Sequence, residues 1–77
     1  QSTPPGRVRM KPLTAKDVER ILGANGFVLD RIRGSHHIWV NDSRFASIAV
    51  PMHGNRTLPQ GTLLAIFRQA GIAKPQR

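Results

Sequence analysis

The stretch Phe27-Val28-Leu29-Asp30-Arg31-Ile32-Arg33-Gly34-Ser35-His36-His37-Ile38-Trp39-Val40 decides the fold. Two runs rich in β-branched and aromatic residues flank Gly34-Ser35. That pair is a two-residue hairpin signal, with the glycine supplying the positive φ of a type II′ turn. Counting outward from the turn, Arg33 faces His36 and Arg31 faces Ile38 across an antiparallel ladder. Phe27, Leu29, Arg31, Arg33, His36, Ile38 and Val40 then share one sheet face, and Val28, Asp30, Ile32, His37 and Trp39 share the other. The apolar members Phe27, Leu29, Ile38 and Val40 mark the first face as the one expected to pack against helices, together with Ile48 and Val50. His36 is then expected at the rim of that core, beside Arg31 and Arg33. A turn of three residues would exchange the two faces.

Outward from the hairpin, Asn41-Asp42-Ser43-Arg44 supplies turn formers before a third β-rich run, Phe45 to Val50, which Pro51 ends. Upstream, Thr14-Ala15-Lys16-Asp17 fits a capping box, with Leu13 and Val18 at the positions of a hydrophobic staple. Val18, Ile21 and Leu22 follow at helical spacing, and Asn25-Gly26 offers a left-handed stop. Downstream, Met52 to Leu58 forms a loop and Pro59 suits the first turn of a second helix. Leu63, Ile66, Phe67 and Ala70 share one face of that helix, and Gly71 with Pro75 beyond it makes a stop. The order α-β-β-β-α predicts an α+β fold, a three-stranded antiparallel sheet with two helices on one face. Residues 13–73 form the expected domain, 1–12 a flexible Pro-rich leader and 74–77 a tail. Met10-Lys11 looks like a start, so residues 1–9 are left out of the fold reading.

A chain of 77 residues holds a single domain, and one this small buries only about 60% of its unfolded surface. The absence of cysteine removes disulfides, thiolate nucleophiles and cysteine-ligated metal sites. Twelve Lys and Arg against four Asp and Glu give +8, which points to a polyanion or an acidic protein as partner. An apolar content of 39% suits a compact core and exceeds that of a disordered basic tail. No apolar run approaches the roughly 18 residues of a membrane span, so a soluble, cytoplasmic domain is expected.

Chemistry concentrates in Arg31-Ile32-Arg33-Gly34-Ser35-His36-His37, where cations, a tight turn, a hydroxyl and imidazoles adjoin. An imidazole beside guanidinium groups suits a general base acting next to a phosphate, and His36 is the candidate. Structural histidines and solvated arginines are the competing explanation for the same residues. Trp39 is either an exposed packing residue or a stacking platform for a base. His36, His37 and His53 make a poor metal set. Adjacent strand residues point apart, no helical His pair exists, and the acids are only Asp17, Glu19, Asp30 and Asp42. Ser35-His36 adjacency makes no triad, and the glycines show no phosphate-loop spacing. After Ser43, Arg44, Arg56, Arg68, Lys74 and Arg77 face no acid, which favours a polyanion field.

The chain closely resembles the HicA toxins of HicAB toxin–antitoxin systems. The likeness is carried by Lys11-Pro12-Leu13, Asn25-Gly26-Phe27, Leu29-Asp30-Arg31, Gly34-Ser35-His36-His37, Val50-Pro51-Met52-His53-Gly54-Asn55, Gly61-Thr62-Leu63 and Arg68-Gln69-Ala70-Gly71. The resemblance implies a fold like that of double-stranded-RNA-binding domains. It also implies an mRNA interferase activity and inhibition by a HicB antitoxin. It makes His36, the first histidine after Gly-Ser, the catalytic residue, and Gly34 the matching glycine. The segment before Met10 departs from the family's usual short start. RNA brings its own nucleophile, the 2′-hydroxyl, so the expected enzyme works without metal or cofactor. Arg31, Arg33, Gly34, Ser35 and His37, with Lys11 and Arg56, form the expected RNA-binding set. The general acid is unassigned among His37, His53 and water. The competing readings are a non-catalytic RNA-binding module and an adaptor for an acidic protein.

Overall fold

The structure, a computed structural model, describes residues 12–43 and 45–72. The expected tail, the expected leader apart from Pro12, and the side chains of Lys11 and Arg44 lie outside the described residues. The elements follow the order α1 (Ala15–Ala24), β1 (Val28–Arg33), β2 (His36–Asn41), β3 (Ala46–Pro51) and α2 (Gln60–Ala70). The strands form an antiparallel sheet in the order β1-β2-β3, as expected.

The capping box closes α1 as its spacing dictates. The Thr14 hydroxyl accepts from the Asp17 N–H at 3.2 Å, and the Asp17 carboxylate accepts from the Thr14 N–H at 3.0 Å. Leu13 and Val18, the staple pair, are both buried in the core. The segment before α1 is also tied to the one before α2. Thr14 bridges Thr57, and the Leu58 N–H donates to the Leu13 carbonyl at 2.8 Å. Pro59 occupies the N-cap of α2 rather than its first turn. Gly71 ends that helix in the left-handed region, where the Ile72 N–H closes on the Phe67 carbonyl at 3.0 Å.

The first turn is the expected type II′. Gly34 has φ +59, while Phe45 alone among the described non-glycine residues has a positive φ, so Ser35 does not. Arg33 pairs with His36 and Arg31 with Ile38, again as the turn length requires.

Phe27, Ile48 and Val50 enter the core as expected, but the packed face of β2 is not the expected one. Trp39 pairs with Ile48 and His37 with Val50, and Ile48 and Val50 are core residues packed with Val18 and Leu22 of α1 and with Leu63, Ile66 and Phe67 of α2. Directly paired residues point to one side of a sheet, so His37 and Trp39 face the helices. His36, Ile38 and Val40 pair with Pro51, Ala49 and Ser47 on the opposite face. Two physical facts account for the reversal. A bulge between Leu29 and Arg31 shifts parity, so that Leu29 pairs with Trp39 and Phe27 reaches the core while Arg31 and Arg33 stay with His36. The polar atoms of His37 and Trp39 are also satisfied beneath α1, which removes the cost of turning them inward. Strand β1 lies at the sheet edge with all its residues exposed, so apolar content there does not report the core.

Candidate nucleic-acid cleavage site

His36 opens β2 directly after the tight turn, exposed on the face away from the helical core. Arg33 lies opposite it and Arg31 two residues further along the same face. Arg33, Gly34, His36, Ile38 and Ala49 line one hollow of about 520 Å³. The pairing of Arg33 with His36 is the one read from the sequence, but His36 lies on the face away from the helices rather than at the rim of the core, and Arg31 does not line the hollow. Arg31 also makes an ion pair with Asp30, the bulged residue beside it. The Ser35 carbonyl accepts from the Met52 N–H at 2.8 Å, which draws the start of the β3–α2 loop against the hairpin tip.

Other candidates are placed apart from that hollow. His37 turns to the helix side, where its Nδ1 lies 2.5 Å from the Glu19 carboxylate. The same Glu19 oxygen accepts from the Trp39 indole N–H at 2.8 Å, so Trp39 is a packing residue inserted between sheet and α1. Its ring lies 3.8 Å from where a Cβ on Gly23 would stand. His53 and Arg56 sit exposed on the loop after β3, joined by a turn in which the Arg56 N–H donates to the His53 carbonyl. Lys11 lies outside the described residues.

Two features escaped the sequence reading. Glu19 looks like an ordinary helix-face acid, and its role depends on which sheet face α1 covers. Pro51, Ala49 and the outward side of α2 border His36 in a second hollow. That juxtaposition arises because α2 lies along the edge strand β3, a packing choice that no local pattern encodes. Among the described residues, no group of three or more His, Cys, Asp or Glu side chains converges. No described helix is long and apolar enough to cross a membrane.

A basic α+β domain thus presents an exposed imidazole between an Arg33-lined hollow and the edge of α2. The family described as HicA toxin of bacterial toxin–antitoxin systems matches residues 15–72, well over half the chain, and the chain belongs to that family. No curated protein sequence matches it.

Proposed function

We propose that this toxin is a metal-independent endoribonuclease that cuts mRNA in the cytoplasm and stops translation until a HicB-type antitoxin neutralises it. The observation that carries the reading is the exposed His36 ring beside Arg33 and the Gly34 turn, in a chain of the toxin family. The His36 imidazole accepts the proton of the ribose 2′-hydroxyl. The 2′-oxygen forms a bond to phosphorus as the bond to the 5′-oxygen breaks, leaving a 2′,3′-cyclic phosphate and a 5′-hydroxyl. A positioned base of this kind contributes about 10²- to 10⁴-fold. Arg33, with Arg31 behind it, holds the phosphate and offsets charge on the phosphorane. Gly34 lets the backbone approach the sugar-phosphate, and Ser35 offers a hydroxyl at the tip. Arg56, exposed on the loop after β3, extends the cationic surface, and Lys11 is proposed as a further RNA contact. The leaving 5′-oxygen takes its proton from His53 or water, since His37 is committed to Glu19 on the other face.

Neutralisation follows from the same geometry: an antitoxin that covers His36 or places acids against Arg31 and Arg33 denies RNA the site. The test is purified protein with labelled RNA in EDTA, comparing wild type with His36→Ala. Cleavage by the wild type alone is expected. Binding without cleavage by either protein would favour the RNA-binding module, and equal cleavage by both would remove His36 from the site. In cells, expression should arrest growth, and co-expression of the antitoxin should restore it.

A further inference from the structure

His36 and Ala49 border two hollows of different chemistry. The first is the guanidinium-lined hollow at the hairpin. The second, of about 620 Å³, runs between β3 and α2 and is walled by Pro51, Pro59, Gly61, Thr62, Ala65 and Gln69. Among the described residues its walls carry no Asp, Glu, Lys or Arg side chain. We propose that this groove receives the nucleoside flanking the scissile phosphate, so that α2 sets the base preference at the cut. The inference rests on the nuclease reading above and assigns the substrate's second anchor point.

Its size lies within the roughly 300–1,000 Å³ of small-ligand sites. Proline rings and small alanine and glycine positions offer apolar walls to the face of a base, while Thr62 and Gln69 offer a hydroxyl and an amide to its edge. A phosphate gains nothing from such neutral walls and gains most from the guanidinium of Arg33 next door. Because both hollows meet at His36, a chain with its phosphate in the first and its base in the second carries its ribose past the imidazole. That is where the proton must be taken.

Gly61 makes the groove testable without disturbing the fold. A Cβ added there meets nothing within 4 Å, so a larger side chain enters open space. Gly61→Leu and Ala65→Phe are compared with wild type, Gly61→Ala and His36→Ala on a random-sequence RNA pool in EDTA. KM, kcat and the bases at both sides of each cut are read from the product ends, and thermal melting checks the fold. Gly61→Leu and Ala65→Phe should melt like the wild type, raise KM by about tenfold, the scale of losing one stacked base, and change base preference on one side of the cut. Gly61→Ala, adding only a methyl, should raise KM less than Gly61→Leu does. Unchanged KM and base pattern in both bulky variants, with cutting still lost in His36→Ala, would overturn the groove and leave the nuclease reading standing. Cutting that survives His36→Ala would overturn both.

Discussion

Glu19 holds the Trp39 indole and the His37 imidazole at once, with only 16% of its side chain exposed, and so fastens α1 to the middle strand. Glu19→Ala strips both donors of their acceptor and should cost about 1–3 kcal/mol, read as a lowered denaturation midpoint. Glu19→Gln keeps a carbonyl that serves one donor, so it should lose less than Glu19→Ala. Equal losses would mean that packing of the glutamate stem, not the hydrogen bonds, matters there. His36, by contrast, is exposed and lies outside the core, so His36→Ala should leave the melting temperature near the wild-type value. At this scale the sequence was partly legible. Turn length gave the pairing of Arg33 with His36 and thus separated two neighbouring imidazoles. It did not say which ring met the helices, because His37 and Trp39 resemble outward polar residues until Glu19 is placed against them.

The element best encoded in sequence is α1, whose Thr14–Asp17 box is observed in full. Thr14→Ala should cost about 1 kcal/mol in chemical denaturation. The backbone N–H of Thr14 and then its side chain hold the Asp17 carboxyl below its ordinary 3.8; desolvation opposes them, and Arg20 adds a lesser pull downward. Since the folded value is the lower one, ionised Asp17 stabilises the fold above 3.8, and that contribution disappears as pH falls through the folded value. The wild type should therefore lose its stability margin over Asp17→Asn on acidification below 3.8, and a margin that persisted there would remove the carboxylate from the cap. The turn between β2 and β3 is less legible. Phe45 was expected to start the third strand, yet it sits at φ +52 and is 95% exposed, ahead of the strand proper. A bulky side chain in that region costs about 1–2 kcal/mol, so Phe45→Gly should raise the denaturation midpoint despite the flexibility of glycine. The bulge at β1 was illegible for a related reason. Alternation predicts a face only while the ladder is regular, and Asp30 interrupts it.

For the whole molecule, twelve cations against four acids make the field around the fold strongly positive, and RNA binding should weaken steeply with salt. Replacing Arg33 by alanine should lower the slope of log K against log salt by about 0.7 if that guanidinium contacts one phosphate of a single strand. An unchanged slope would place the phosphate elsewhere. Charge and chain order were open to inspection from the start, as was the sandwich of helices on one sheet face. The groove against α2 was not, since it exists only once a second helix lies along the β3 edge. The same arrangement frames the chemistry, because it leaves His36 between a cationic hollow and a neutral one. The most direct test of that chemistry is the mass of the RNA ends produced by purified toxin in the presence of a chelator. Fragments ending in a 2′,3′-cyclic phosphate, with 5′-hydroxyl partners, are the predicted result; 3′-hydroxyl and 5′-phosphate ends would contradict attack by the ribose oxygen and with it the assigned role of His36.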